Sequence, residues 1–391
     1  MEPITDTLKA FDHPATHTRV VFGPGAVDRI GTFATDWQAR HALLVTDPHI
    51  VEADHAPRAA RALQEAGIAV TVFDQVHENP TTDDVDHCVK CIQRADRAAG
   101  PVDTIVGIGG GSSMDTAKGA NFIHTNGGRM QDYWGVGKAS KEMLPLIAVP
   151  TTAGTGSECQ SFALIGDAES HMKMACGDKK AAARVAILDP TLTLTQPKLV
   201  AADTGIDALT HAVETAVTLK RNDVSLSYAR DSFRLIHQNL PIIFQEPDNL
   251  EARGQMLLAA AYAGTAIELS MLGAAHSAAN PLSAHYDIIH GQAVGLMLPA
   301  VVAFNAQEPE ARNLYRKLAA HAGLEASVEA LLARLDELMQ LTGLPRRLRD
   351  FDVPDDAIPR LAEEAAKQWT AQFNPRPVTA LDFQSLYRAV A

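Results

Sequence analysis

The first half of the chain alternates short apolar runs with stretches of helical periodicity. Arg19-Val-Val-Phe22, His41-Ala-Leu-Leu-Val-Thr46, Ile68-Ala-Val-Thr-Val-Phe73, Thr104-Ile-Val-Gly-Ile108, Leu146-Ile-Ala-Val149 and Val185-Ala-Ile-Leu188 are apolar at consecutive rather than alternate positions. Strands buried on both faces read this way, and helices between them predict a parallel sheet covered on both sides. Phe162-Ala-Leu-Ile165 and His171-Met-Lys-Met174, joined through Gly166-Asp-Ala-Glu169, read instead as a hairpin. From about residue 196 the texture changes. Helical periodicity covers 201–217, 223–240, 250–270, 291–304, 309–322, 326–341, 354–368 and 379–390. Thr379-Ala-Leu-Asp382 has capping-box spacing, and Gly343-Leu-Pro345 and Asn374-Pro-Arg-Pro377 punctuate between helices. The pattern predicts an α/β domain over 1–195 and an all-helical domain over 196–391.

Composition narrows the partners more than the fold. The 391 residues exceed one ordinary domain, and 46% hydrophobic with 21% charged residues describes a globular protein with ample core. A net charge of −13 argues against nucleic acid or an anionic membrane as partner. It leaves room for an anionic ligand, because a local nest of backbone N–H groups holds phosphate inside an acidic protein. Four cysteines are no disulfide framework. Cys88-Val-Lys-Cys91 has CxxC spacing but lies in an amphipathic helical pattern with no second pair to complete a zinc site. Met1–Leu8 has neither basic nor apolar leader character, and no window reaches the roughly 18 apolar residues of a membrane span. A cytoplasmic protein is expected.

Three stretches carry candidate chemistry. Gly109-Gly-Gly-Ser-Ser-Met-Asp115-Thr-Ala-Lys118 stands where a strand gives way to a helix. Glycines there let the backbone turn tightly, and the helix N-terminus favours phosphate. The same turn could hold no ligand. The usual dinucleotide fingerprint has its acid about 20 residues after the glycines; here the candidate, Asp47, precedes them. Pro150-Thr-Thr-Ala-Gly-Thr-Gly-Ser-Glu158 is a second loop after a strand, rich in hydroxyls. In the second half, Asp207 and His211 are spaced i, i+4 and share one helix face. His276, His285 and His290 fall in a small-residue, mostly apolar stretch. Asp207, His211, His276 and His290 make one carboxylate and three imidazoles, a set suited to a divalent transition metal. Taken in pairs, they also fit a solvated helix pair and core histidines.

In this order, and together with Phe22-Gly-Pro-Gly-Ala26, Asp189-Pro190 and Gly205–Glu214, the motifs resemble the iron-containing alcohol dehydrogenase family over almost the whole chain. The resemblance implies a dehydroquinate synthase-like fold: a Rossmann-like dinucleotide-binding domain, a helical metal-binding domain, and an active site in the cleft between. It implies Asp207, His211, His276 and His290 as metal ligands, for Fe(II) or alternatively Zn(II). It assigns Gly109, Gly110, Gly111, Ser112 and Ser113 to the pyrophosphate, with Asp115 in the same motif. The resemblance further implies that the Thr151 and Thr152 hydroxyls approach the cofactor, that Lys173 lines the nucleotide pocket and that Asp47 meets the adenosine ribose. A carboxylate at the ribose favours NAD over NADP. The implied activity is NAD-dependent hydride transfer between a small alcohol and its aldehyde, by a homodimer. Two alternatives stay open: a non-redox metal and NAD reaction, as in dehydroquinate synthase, or a non-catalytic NAD- or metal-binding protein. One departure bears on mechanism. Family members often place a histidine four residues after the third ligand, and this chain has Asn280. His285 is then the nearest candidate for a proton relay, with Asn280 orienting substrate or nicotinamide.

Overall fold

The computed structural model describes residues 9–170 and 172–391. The leader reading of Met1–Leu8 and the expected strand position of His171 lie outside these residues. The chain forms two compact units, one of residues up to Thr152 with Ser157–Gln196, the other of Ala153–Gly156 with Pro197–Ala391.

The first unit contains β1 (Lys9–Asp12), β2 (Arg19–Phe22), α1 (Ile30–Thr35), β3 (His41–Val45), α2 (Pro48–Glu52), α3 (His55–Glu65), β4 (Ala69–Phe73), α4 (Thr82–Ala99), β5 (Thr104–Gly109), α5 (Gly111–Asn126), β6 (Gly135–Val136), β7 (Leu146–Pro150), β8 (Phe162–Gly166), β9 (Lys173–Gly177) and β10 (Val185–Leu188). Its main sheet runs β1-β2-β10-β7-β5-β3-β4. All neighbours pair in parallel except β1, which lies antiparallel on β2 at the edge. That strand was not foreseen: Lys9-Ala-Phe-Asp12 is short and three of its four residues are exposed, so it lacks a buried-strand signature. Successive residues of the central strands go to opposite faces, as the strand period requires. Leu43, Val45 and Ile105 join a core with α4 and α5; Ala42, Leu44 and Val106 join another with α1 and α3. This two-sided burial is why the strand signals were continuous apolar runs. The expected hairpin is present as β8 and β9, extended by a short parallel strand, β6. Cys88 lies on α4's inner face in the core, where burial pushes its thiol up, a packing role rather than a redox one.

The second unit contains α6 (Lys198–Thr215), α7 (Asp223–Gln245), α8 (Leu250–Leu269), α9 (Ala274–Tyr286), α10 (His290–Asn305), α11 (Pro309–His321), α12 (Val328–Thr342), α13 (Ile358–Lys367) and α14 (Ala380–Arg388). Helix α9 is not predicted from the sequence because Pro281 and a run of small residues hide its period. Helix α6 packs against α7, α8 and α10, all within one apolar core. No single described helix is long and apolar enough to cross a membrane.

Candidate metal centre and cofactor loops

The metal candidates are set by three helices of the second unit. Asp207 and His211 occupy one face in the middle of α6, while His276 lies in the first turn of α9 and His290 opens α10. Asp207 Oδ1 is 3.3 Å from His211 Nε2, 3.7 Å from His276 Nε2 and 3.9 Å from His290 Nε2. The donor atoms of Asp207, His276 and His290 all lie within 4.8 Å of one another. The rings of His211 and His276 stack with centroids 4.8 Å apart. Asp207, His211 and His276 are buried, at 4–5% exposure, and His290 is partly open.

Buried polar atoms normally carry hydrogen bonds, yet Asp207 Oδ1 and His276 Nε2 have none. Two orphaned acceptor positions facing one point, with two further imidazole nitrogens beside them, fit a divalent cation. Electrostatics agree for Asp207 and His211. Burial pushes the Asp207 carboxyl up, but the three imidazoles overcome it and hold the group well below the usual carboxylate range. Burial pulls His211 down to about 4, only partly opposed by Asp207, so its ring is neutral and able to ligate. Burial also pulls on His276, but the carboxylates of Glu214 and Asp207 outweigh it and push that ring up to about 9.

Glu214, not singled out from the sequence, packs against a candidate ligand. Its buried carboxylate lies 2.5 Å from His276 Nδ1. The signal was available: 207, 211 and 214 follow i, i+4, i+7 on one face of α6.

In the first unit, the loops after β3, β5 and β7 carry the cofactor candidates. Helix α5 begins at Gly111, with Gly110 as its N-cap and Ser112 and Ser113 in its first turn. Gly109 has φ +143°, and a Cβ there would lie 2.5 Å from Ser113 Oγ and 3.3 Å from Asp47 Oδ2. Glycine is therefore required, and Asp47 sits beside the glycine turn despite its distance in sequence. Strand β3 pairs with β4 on one side and β5 on the other, so the chain reverses direction across the sheet at this point. Open α/β sheets bind ligands at the carboxyl ends of the strands flanking such a reversal. Asp47 also caps α2, its Oδ1 accepting from His49 N at 3.0 Å and Ile50 N at 3.2 Å. Thr151 is tied to the same turn, its N–H donating to Gly109 O at 2.9 Å, and Thr152 faces Gly110. Ser113 Oγ is buried without a partner. Free first-turn amides, an orphaned hydroxyl and a cradle without side chains fit a pyrophosphate.

Asp115 and Lys173 are placed differently. Asp115 accepts from Ser157 Oγ at 2.7 Å and Leu164 N at 3.2 Å, which fastens α5 to the β8 hairpin. Fully buried Lys118 donates to Ser157 O, Ser157 Oγ and Phe162 O at 2.7, 2.8 and 3.0 Å. Lys173 is exposed at the start of β9, near enough to Asp115 to favour its ionised form against the upward push of burial. Beside this network Glu158 is buried, and burial raises its carboxyl to about 7 against Lys118.

Glu158 makes a pH prediction. An acid whose native value exceeds its ordinary 4.5 binds more protons folded than unfolded between the two values, so it lowers stability as pH rises from 4.5 to 7. Glu158→Gln should raise stability at pH 8 by on the order of 3 kcal/mol. The gain should shrink below pH 7 and vanish below 4.5. Thermal unfolding of both proteins across this range reads it; a gain independent of pH would contradict it.

The two catalytic candidates separate. Asn280 lies one helical turn from His276 on the same face of α9, and its Nδ2 donates to Gln368 Oε1 at 3.0 Å. His285 is a correction. Nine positions from His276 is about two and a half turns, the opposite face, and His285 is exposed, 2.6 Å from Glu364 Oε2 with Arg360 at 3.0 Å. The structure does not bring it to the Asp207 group.

The comparisons decide the family. Residues 17–190 match the family described as iron-containing alcohol dehydrogenase, and residues 201–391 match its C-terminal part. The chain belongs to the iron-containing alcohol dehydrogenase family. It is 33% identical to the NAD-dependent methanol dehydrogenase of Bacillus methanolicus, covering 94% of this chain and 97% of that protein. A crystal structure of 1,3-propanediol oxidoreductase superposes with a TM-score of 0.91 at 31% identity, over 98% of this chain and all of that one. The sulfoacetaldehyde reductase of Bifidobacterium kashiwanohense, solved in complex with NAD+, superposes at 0.87 with 29% identity, over 97% of this chain and 98% of that one. This alcohol dehydrogenase is an oxidoreductase of the iron-containing type with a Rossmann-like N-terminal fold, which decides against the non-redox and non-catalytic alternatives.

Proposed function

We propose that this alcohol dehydrogenase transfers hydride between a small primary alcohol or diol, or its aldehyde, and NAD, with Fe(II) held by Asp207, His211, His276 and His290. The observation that carries the reading is the pair of buried, unpartnered atoms Asp207 Oδ1 and His276 Nε2 directed at one point. The methanol and propanediol relatives support small alcohols, and the relative solved with NAD+ supports the cofactor. When bound, the cation supplies Lewis-acid polarisation of the alcohol or carbonyl oxygen, and NAD supplies the hydride acceptor. The chain's own contribution is positioning. Gly109–Ser113 hold the pyrophosphate at the N-terminus of α5, Thr151 and Thr152 flank it, and Asp47 accepts from the ribose. Asn280, on the ligand face of α9, orients a polar group of substrate or nicotinamide but cannot take a proton. Asp115 and Lys173 act through the hairpin that braces α5. A cytoplasmic homodimer belongs to the same proposal; four cysteines with no disulfide among the described residues fit a reducing compartment.

The test is NADH formation with a panel of primary alcohols and diols, repeated after chelation and after restoring Fe(II) or Zn(II). Full turnover by metal-free enzyme would overturn it. Cofactor choice gives a second check. Asp47→Asn keeps the cap acceptor on α2 and removes the charge, so kcat/KM for NADP relative to NAD should rise about tenfold or more, the scale of one relieved charge repulsion. A wild type that already uses both cofactors equally would remove Asp47 from the ribose.

A further inference from the structure

We infer that Glu214 is a positioning residue that fixes the tautomer of His276, keeping Nδ1 protonated so that Nε2 presents its lone pair to the metal. The inference rests on the metal centre proposed above. Glu214 lies on α6, two turns along from Asp207, and is itself 4% exposed. Its two oxygens have separate partners: Oε2 is 2.5 Å from His276 Nδ1, and Oε1 accepts from the backbone N–H of Ala275 at 2.6 Å. A carboxylate has no proton to give, so the imidazole must donate through Nδ1. The first turn of α9 is thereby fastened to α6 through one side chain, by a backbone amide and by the ring beside it. The carboxylate packs closely against the turn before α9. A Cβ on Gly273 would lie 3.1 Å from Glu214 Oε1 and 3.0 Å from Asn374 Oδ1. Asn374 is held in turn by a reciprocal amide pair with Asn305, at 3.0 and 2.7 Å, and accepts from Ala274 N at 3.3 Å. The start of α9 is thus fixed by two buried acceptors, of which Glu214 alone touches a ligand.

Glutamine has one acceptor oxygen and one donor amide where glutamate has two acceptors. Ala275 N–H cannot reverse its role, so in Glu214→Gln the oxygen stays with Ala275 and the amide donates to His276 Nδ1. The ring must then carry its proton on Nε2, the nitrogen that faces Asp207 and the metal position. Shape is preserved, and ligation through Nε2 is disfavoured.

The experiment uses the full chain with Zn(II) as probe, titrated against a chromophoric chelator. Long-range 1H–15N correlations of 15N-histidine-labelled, metal-free protein, recorded above pH 9 so that the His276 ring is neutral, report which ring nitrogen carries hydrogen. Wild type should bind Zn(II) with Nδ1 of His276 protonated. Glu214→Gln should bind ten- to hundredfold more weakly, the usual cost of losing a partner behind a metal ligand, with Nδ1 bare. Glu214→Asp keeps two acceptors, so it should keep Nδ1 protonated and bind more tightly than the Gln variant; it also serves where Glu214→Gln does not fold. Unchanged affinity, or weakened affinity with Nδ1 still protonated, would overturn the inference. If His290→Ala binds Zn(II) as well as wild type, the metal centre itself is misread, and the NMR signature still reports on Glu214 and His276 alone.

Discussion

His290→Ala should lose at least about a hundredfold in metal affinity, beyond the range for losing a partner behind a ligand, and lose turnover with it, while NAD binding persists. The expectation follows from where the residues lie. His290 is one of three donors within 4.8 Å of one another, and its side chain is 26% exposed, so truncating it leaves little empty space in the core. His276→Ala should cost at least as much, but less cleanly. It also strips Glu214 Oε2 of its partner in a buried site, and an unpaired buried carboxylate destabilises on its own account. The cofactor residues all belong to the first unit and His290 to the second. Metal analysis of the purified variant, NAD titration and NADH formation together separate the outcomes. A His290→Ala protein that is metal-free and fully active would remove the metal from the reaction.

How much of this could be read from the chain depends on whether the signal is local. The ends of β3, β5 and β7 were legible because each strand is buried on both faces and stops at Asp47, the glycine turn or Thr151. That Asp47 lies against Gly109 was not legible from spacing, because adjacency of β3 and β5 is a property of sheet order. The Asp207 and His211 pair is written in a helix period. His276 and His290 belong to it only because α9 and α10 both direct their first turns at α6, and Pro281 obscured the first of those helices. His285 was misassigned for the same reason: without the helix, its phase relative to His276 could not be counted. Glu214 was overlooked because a buried carboxylate's partner, His276 Nδ1, lies on another helix. The antiparallel edge strand β1 had too few buried residues to signal itself.

Gly291→Ala should cripple metal binding without touching a ligand. Intrinsic propensity favours alanine over glycine inside a helix by about 1 kcal/mol, so packing must decide the sign. A Cβ at Gly291 would stand 2.0 Å from Asp203 O and 2.6 Å from Asp203 C, backbone atoms that cannot rotate aside. Asp203 is one turn before Asp207 on α6, and Gly291 directly follows His290 on α10. The missing methyl therefore lets the start of α10 rest on the α6 backbone, which sets the 3.9 Å between His290 Nε2 and Asp207 Oδ1. Admitting the methyl requires α10 to retreat by about an ångström, and His290 goes with it. The stability loss should be about 1–3 kcal/mol, as for other overpacked sites, and metal affinity should fall nearly as far as in His290→Ala. Gly295→Ala is the control. One turn further along, its Cβ would meet the side chains of Ile206 at 2.4 Å and Met339 at 3.2 Å, which can shift. Both variants should unfold at lower temperature, but only Gly291→Ala should lose the metal. Equal metal affinity in the two would mean that α10 adjusts without moving His290, and that the glycine serves packing alone.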